Sequence, residues 1–157
     1  AIVSENSAKA QRMWAIRESI PEANRLVGAI SSNDISIPID KISDFIKFTN
    51  QKIKRLNPEL RVNCFGHIGD GNLHYNVFPP KGSLNKLFFS ERNKLKKIIN
   101  EECYNCKGSI SAEHGIGRLK VEELKKYGDK GKLLSMAKIK KAFDPAGLLN
   151  PGVMFEN

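Results

Sequence analysis

The sequence has few cysteines, one tryptophan and no long apolar segment. No apolar run approaches the roughly 20 residues that cross a bilayer, so we expect a chain that does not span a membrane, while surface association stays open. Cys64, Cys103 and Cys106 are an odd number of cysteines, which argues against a disulfide framework and favours reduced thiols in the cytoplasm. The chain does not start with Met and opens on a helical pattern, so we expect a piece of a longer protein.

The charge of the chain is strongly positive. Lys and Arg total 26 against 17 Asp and Glu, a formal net charge of +9, which favours anionic partners. The basic residues are spread over several predicted helices and are not interleaved with aromatic residues, so a solvated Lys-rich surface is the simpler interpretation. We therefore expect no nucleic-acid partner.

Hydrophobic periodicity predicts helices that alternate with a few strands. The predicted helices cover residues 4–17, 22–27, 40–56, 84–106 and 133–143, and the predicted strands cover 34–39, 61–68 and 72–78, with a short strand turning into a helix at 109–118. A βαβ glycine fingerprint is missing, and 157 residues suffice for one ordinary core. We expect a single α+β unit over residues 1–157, with an antiparallel sheet and helices packed on one face.

The segment FGHIGDGNLHYNVFPP is predicted to form a hairpin that carries two histidines. Asp70-Gly71 favours a two-residue type I′ turn, which would place His67 opposite His74 with Cβ atoms roughly 4.5–5.5 Å apart. The alternation of side chains along the two strands assigns one face of the hairpin to the core and the other face to the candidate functional residues. The predicted core face holds Val62, Cys64, Ile68, Leu73, Tyr75 and Val77, and the other face holds Phe65, His67, His74 and Asn76. Two imidazoles so placed can bind one divalent ion.

Glu113 is the candidate third ligand, because two histidines and one carboxylate leave coordination positions open, as catalytic metal sites require. The alternative is a carboxylate that merely favours a helix N-terminus. His114 is then available as a general base if a sharp turn at Gly115 and Gly117 brings it to the same side as Glu113. Arg17 is a candidate for binding a substrate carboxylate, although an exposed helix Arg more commonly pairs with a Glu.

The cysteines allow a different reading of the same hairpin. Cys64 and His67 together with Cys103 and Cys106 have a spacing acceptable for a structural zinc module of the kind found in basic nucleic-acid-binding proteins. Against this reading, Cys103 and Cys106 continue the apolar stripe of a predicted helix and so are expected to face the core.

Five ordered blocks, WAIRES, DISIP, GHIGDGNLHYN, SAEHGIGR and FDPAGLLNPGVMF, together resemble the C-terminal cap domain of FAD-linked 2-hydroxy-acid dehydrogenases, with a ferredoxin-like fold. That family includes D-lactate dehydrogenase, the glycolate oxidase catalytic subunit and D-2-hydroxyglutarate dehydrogenase. By this resemblance, His67, His74 and Glu113 match ligands of a divalent metal, zinc or manganese, and His114 matches the base. The resemblance also matches Arg17 and Asn76 to substrate contacts and Gly115, Gly117 and Asn150 to positions near the cofactor.

The resemblance implies an oxidoreductase that converts a 2-hydroxy acid to the 2-oxo acid, with hydride transfer to FAD. The family's FAD-binding domain is not found in these residues, so it is the expected partner, and the isolated chain is expected to be inactive. The start of the cap also looks missing, so a second copy of the chain could complete the sheet. A separate alternative is that the metal site forms only when the chain packs against the flavin domain. Ser32 stands where the D-2-hydroxyglutarate members have a Lys, which favours a lactate-like or glycolate-like substrate. Peripheral association with the inner membrane stays open.

Overall fold

The computed structural model describes residues 2–155, which form a three-stranded antiparallel sheet and five α-helices. In chain order the elements are α1 (Ser7–Val27), β1 (Ser31–Ser36), α2 (Ile42–Leu56), β2 (Arg61–His67), β3 (Asn72–Phe78), α3 (Arg92–Asn105), α4 (Val121–Tyr127) and α5 (Lys130–Phe143), with 3₁₀ turns at Ile39–Lys41 and Asn85–Glu91. The prediction of an α+β fold with an antiparallel sheet is confirmed. None of the helices in the described part of the chain is long and apolar enough to span a membrane.

Strand β3 lies in the centre of the sheet, in the order β1-β3-β2. In this register His74 of β3 is flanked by Asp34 of β1 and by Phe65 of β2, and His67 pairs with Asn72. Direct cross-strand partners share a face, so all five side chains project from the same side of the sheet. The sheet therefore gathers an aspartate and two histidines from three strands on one surface.

The hairpin loop is longer than the sequence predicted. Residues 68–71 form a four-residue turn, so His67 and His74 are diagonal neighbours and the predicted direct pairing of the two histidines is wrong. Gly71 has φ +76°, and its carbonyl accepts a hydrogen bond from the Ile37 N–H at 2.9 Å, which ties the loop to the segment after β1. Ile68 falls in this loop with 71% of its surface exposed, so its predicted core position is also wrong.

Helices α2 and α3 cover the opposite face of the sheet. The apolar stripe of α2 spaces its buried residues by three to four positions, as an amphipathic helix requires. The core combines side chains from both helices and all three strands: Ile35, Phe45, Ile53, Val62, Leu73, Tyr75, Val77, Leu95, Ile99 and Cys103. Burial on this side fixes which side chains of each strand are left for the other face.

Several helix and strand predictions differ from the structure. Strand β1 covers Ser31–Ser36 where the sequence predicted 34–39, and α4 was not predicted. Helix α1 continues through Pro21, from its Asn6 cap to Gly28 at φ +78°, where the sequence predicted two helices. The predicted helix over residues 84–106 begins as a 3₁₀ turn and becomes α-helical only at Arg92. The predicted strand after Gly108 is reduced to a single bridge between Ser36 and Ser109, followed by bends and turns.

Candidate active site

A cleft of about 670 Å³ lies on the sheet face that α2 and α3 leave open. Its walls come from the second half of α1, the three strands and the bend at residues 113–114. The cleft is lined by Arg17, Pro21, Asn24, Arg25, Gly28, Ala29, Ser32, Asn33, Asp34, Phe65, His67, His74, Asn76, Glu113 and His114. Elements far apart in the sequence thus contribute polar groups to one concave surface.

His67, His74 and Glu113 form the tightest cluster of potential metal ligands in the cleft. The Nε2 atoms of His67 and His74 lie 3.7 Å from Glu113 Oε1 and Oε2, respectively, and one donor atom from each residue falls within 4.8 Å of the others. The carboxylate therefore stands between two imidazoles from neighbouring strands.

The donor set is suited to a divalent cation. Ligand distances of about 2.0–2.2 Å in a tetrahedral site place neighbouring donors about 3.4 Å apart. The two contacts of 3.7 Å are close to this spacing, and donor atoms that lie within 4.8 Å of one another would have to move together by up to about 1.4 Å to share one ion. Two imidazoles and one carboxylate also leave an open coordination position. The three residues thus form a donor set that could hold a divalent cation.

An aspartate faces the remaining ring nitrogen of each candidate ligand histidine. Asp70 Oδ2 lies 3.4 Å from His67 Nδ1, and Asp34 Oδ1 lies 3.9 Å from His74 Nδ1. Carboxylates at this position orient the imidazole and raise its basicity as a ligand. Both rings are therefore turned with Nε2 toward Glu113.

Asp34 is the most highly connected side chain of the cleft and is only 6% exposed. Its Oδ2 accepts hydrogen bonds from the backbone N–H groups of Glu113 and His114 at 2.8 and 2.9 Å, and its Oδ1 accepts one from Asn72 Nδ2 at 3.1 Å. Desolvation raises the pKa of Asp34, but the two backbone hydrogen bonds, the charge of His114 and the Asn72 amide together outweigh it and lower the pKa below the ordinary value. Asp34 is thus an ionised acceptor at neutral pH.

His114 lies beside the cluster, at a bend. Its Nδ1 is 3.4 Å from Asp34 Oδ2, and its ring centroid is 6.2 Å from that of His74. Glu113 and His114 both direct their N–H groups at one oxygen, which a regular strand does not permit, and Gly115 follows at φ +72°. The sharp turn that the sequence argument required is therefore present.

Arg17 and Asn76 also reach the cleft. The Arg17 guanidinium lies over the Phe65 ring, 5.3 Å from its centroid, so the aromatic face holds the cation at the edge of the cleft. Asn76 is 6% exposed and lies on the same strand face as His74, whose carbonyl accepts a hydrogen bond from the Asn76 amide at 3.2 Å. These two residues flank the histidines from a helix and from a strand.

The residues predicted near the cofactor are divided between two places. Gly115 and Gly117 have open space around the position of a Cβ atom, next to the cleft wall at residues 113–114. Asn150 lines a second cavity of about 370 Å³, which shares no lining residue with the first. The Met154 N–H donates to the Gly117 carbonyl at 3.0 Å, so the C-terminal segment runs next to the glycines.

The cysteine-based zinc module is not assembled in the structure. Cys64 is paired with Tyr75 on the core face of the hairpin, whereas His67, three positions along the strand, projects from the other face. Cys103 is fully buried in the core. In residues 2–155 the group compatible with a metal contains no cysteine. The alternative reading of Cys64, His67, Cys103 and Cys106 as a structural zinc site is therefore wrong.

Asp34 and Arg25 are charged residues of the cleft that the sequence did not reveal as part of the site. Asp34 was placed only in a predicted strand, and its contacts with Glu113 and His114 span 79 and 80 positions of sequence. The sequence offered no signal for this role, because an acidic residue beside the apolar Ile35 is ordinary strand alternation, and the burial that requires a partner for the carboxylate is seen only in the structure. Arg25 also lines the cleft, with its guanidinium held by Glu22 at 2.6 and 2.8 Å.

Comparison with known proteins places these features in a family. Residues 1–154 match the family model described as FAD linked oxidases, C-terminal domain. The chain is 34% identical over 159 residues to a D-2-hydroxyglutarate dehydrogenase of Stutzerimonas stutzeri (strain A1501), covering 98% of the chain and 33% of the relative. It is 36% identical over 155 residues to a protein of the same name from Xanthomonas citri pv. viticola, covering 99% and 33%. A mitochondrial D-2-hydroxyglutarate dehydrogenase of Arabidopsis thaliana is 35% identical over 154 residues, covering 96% and 25%. The chain thus spans a quarter to a third of the length of these relatives.

Proposed function

The chain belongs to the family of C-terminal domains of FAD-linked oxidases, and from this membership we propose that it supplies the substrate-binding and metal-binding half of a flavin-dependent 2-hydroxy-acid dehydrogenase. The observation that carries the proposal is the convergence of His67, His74 and Glu113, with His114 beside them. A flavin domain of the same protein is the proposed partner, and a small 2-hydroxy acid is the proposed substrate.

Arg17 would fix the orientation of the acid. Its guanidinium is planar and can pair with both oxygens of a carboxylate, and the Phe65 ring beneath it limits its rotation. Asn76 on the same strand face as His74 can supply an amide to a second polar group of the substrate. These contacts would place C2 of the acid over the histidine cluster.

His114 would take the proton of the C2 hydroxyl. Its side chain is 71% exposed and lines the cleft, so a substrate can reach the ring, while Asp34 contacts the ring from the protein side. His67, His74 and Glu113 would hold a divalent cation, whose positive charge would lower the pKa of a neighbouring hydroxyl. A flavin held by the partner domain would supply the acceptor for the hydride from C2, so that the acid would be released as the 2-oxo acid.

Within this class we propose a lactate-like or glycolate-like monocarboxylate. Ser32 lines the cleft and brings no charge, and the charge of Arg25 is neutralised by its bidentate pair with Glu22. The relatives named for D-2-hydroxyglutarate supply the competing candidate, whose second carboxylate would have to share Arg25 with Glu22. A homodimer, the cytoplasmic compartment and association with the inner membrane stay predictions.

The test is reduction of the flavin in the longer protein that carries this chain. We expect D-2-hydroxy acids to bleach the flavin absorbance under anaerobic conditions, with D-lactate or glycolate effective at lower concentration than D-2-hydroxyglutarate. Arg17→Ala should raise the concentration for half-maximal bleaching by roughly 10²-fold, because a charge-assisted bidentate contact is lost. His114→Ala should retain substrate binding and lose fast bleaching.

Arg12→Ala is the matched control, since Arg12 is an exposed residue of the same helix outside the cleft. It should leave both values unchanged. Absence of bleaching by every D- and L-2-hydroxy acid would contradict the proposed function. A preference for D-2-hydroxyglutarate would contradict only the monocarboxylate assignment.

A further inference from the structure

The carboxylate of Asp34 occupies the centre of the candidate site without being one of its metal ligands. It stands on β1 directly opposite His74, and among the described residues its oxygens contact Asn72, Glu113, His114 and His74. We propose that Asp34 is a positioning residue that holds the turn carrying Glu113 and His114 and fixes the tautomer of His114 with the proton on Nδ1. The inference rests on the proposed function for its catalytic meaning.

The backbone contacts carry the first part of the proposal. One oxygen of Asp34 accepts both N–H groups at the bend, at 2.8 and 2.9 Å. The carbonyl of the same residue accepts a third hydrogen bond, from the Ala112 N–H at 3.3 Å. Three successive N–H groups therefore bond to one residue of β1, which fixes where the Glu113 carboxylate and the His114 ring emerge.

The second part follows from the position of the ring. His114 Nδ1 faces the ionised carboxylate at 3.4 Å, and an ionised carboxylate can accept a hydrogen bond but cannot donate one. A neutral imidazole in this position is stabilised with its proton on Nδ1, which leaves Nε2 as the acceptor. Since the ring is largely exposed on the cleft, Nε2 is the atom that can meet the substrate hydroxyl.

Asn72 holds the carboxylate itself in place. Its amide nitrogen donates to Asp34 Oδ1 at 3.1 Å, and the residue is 3% exposed in β3. This contact occupies the oxygen that is turned toward His74 and leaves Oδ2 for the bend. In Asp34→Asn one of the two carboxylate oxygens is replaced by an NH₂ group. This group either faces the Asn72 amide donor or takes the place of the oxygen that accepts the two N–H groups of the bend. The substitution therefore disturbs these hydrogen bonds while the side chain keeps nearly the same size.

Imidazole ¹⁵N chemical shifts of the 157-residue chain test the tautomer directly. The two neutral tautomers of an imidazole give distinct ¹⁵N shifts, so the spectrum is recorded at a pH at which the shifts no longer change with pH. We expect His114 to carry its proton on Nδ1 in the wild type and to shift toward the Nε2-protonated form in Asp34→Asn. A wild-type His114 protonated on Nε2 would overturn the proposal even if the variant fails to fold.

Two further variants separate positioning from general stability. Asp40→Asn removes the same charge from an exposed site and should leave the His114 tautomer unchanged. Asp34→Glu keeps a carboxylate and should retain the Nδ1 tautomer better than Asp34→Asn. Equal loss of the tautomer in Asp34→Glu and Asp34→Asn, or its retention in a folded Asp34→Asn, would refute the assignment.

Kinetics of the longer flavin-containing protein supply the catalytic readout. Asp34→Asn should lower kcat roughly 10²- to 10⁴-fold, the range for loss of general base catalysis, with a much smaller change in KM. An effect confined to KM would contradict the positioning of the base. If the wild type oxidises no 2-hydroxy acid, the proposed function fails, whereas the tautomer measurement still decides the geometry of Asp34.

Discussion

The hairpin loop offers a perturbation whose effect can be worked out from the structure. Gly71 has φ +76°, and a Cβ atom built on it would lie 2.1 Å from the carbonyl oxygen of Ile37. In Gly71→Ala the left-handed backbone costs about 1–2 kcal/mol, and the backbone shift that relieves the contact costs about 1–3 kcal/mol more. We therefore expect a loss of about 2–5 kcal/mol in the free energy of unfolding, measured by urea denaturation with far-ultraviolet circular dichroism.

Gly82→Ala is the matched control for this experiment. Gly82 has φ +83°, but no atom lies within 4 Å of the position its Cβ would occupy. The backbone cost remains and the steric cost disappears, so we expect a loss of only about 1–2 kcal/mol. If Gly71→Ala destabilised the chain no more than Gly82→Ala, the contact between the loop and Ile37 would not hold the hairpin, and the reasoning would be refuted.

Three further predictions concern the core, the thiols and the C-terminal segment. Tyr75→Phe should lower the free energy of unfolding by about 1–3 kcal/mol, because the buried hydroxyl donates to Asn50 Oδ1 at 2.5 Å. The control Tyr104→Phe, at an exposed position, should leave the free energy of unfolding nearly unchanged. Burial raises the pKa of Cys64 to about 11 and of Cys103 to about 12, so both should react with iodoacetamide far more slowly in the native chain at about pH 8 than in urea; equal rates would contradict their burial. A hydrogen bond from Lys140 lowers the pKa of Asp144 to about 2, whereas its ordinary value is 3.8. The Asp144 charge therefore stabilises the fold fully above pH 3.8, and this stabilisation is lost as the pH falls through about 2. The difference in thermal midpoint between wild type and Asp144→Asn should therefore shrink between about pH 4 and pH 2, and a constant difference would contradict the assignment.

The strand face of the site could be predicted from the sequence because face depends only on alternation. Six residues lie between His67 and His74, so the two share a face across any hairpin loop with an even number of residues, and both were assigned to the polar face, as observed. Their register could not be predicted in the same way, because Asp70-Gly71 suits a two-residue turn locally. The longer loop is held instead by a hydrogen bond to Ile37, a residue more than thirty positions earlier.

The connection between Asp34 and the bend at Glu113 and His114 lies outside what local pattern can reveal. It depends on the pairing of β1 with β3 and on the bridge between Ser36 and Ser109, which brings the later segment alongside β1. Glu113 was identified by its residue type and by the resemblance to a family, and the contact with the two histidines is a product of that tertiary pairing. The sequence therefore identified the candidate ligands more readily than the contacts that hold them in place.

The cysteine stripe shows the converse case, in which periodicity decided correctly against a motif. Cys103 follows the apolar spacing of Leu95 and Ile99, and all three are fully buried against the sheet. A motif of two cysteines three positions apart was compatible with zinc, but helical spacing placed the first sulfur in the core. Burial of an amphipathic stripe is the stronger determinant when the two interpretations compete.

The central claim is that His67, His74 and Glu113 bind a divalent cation, and a cobalt titration of the 157-residue chain tests it most directly. We expect stoichiometric Co²⁺ binding without the intense near-ultraviolet band of thiolate ligands, retained in Cys106→Ser and lost in the double variant His67→Ala and His74→Ala. Stoichiometric metal in the double variant, or a thiolate band in the wild type, would contradict the claim. Metal bound only by the longer protein would show that these three residues do not build the site by themselves.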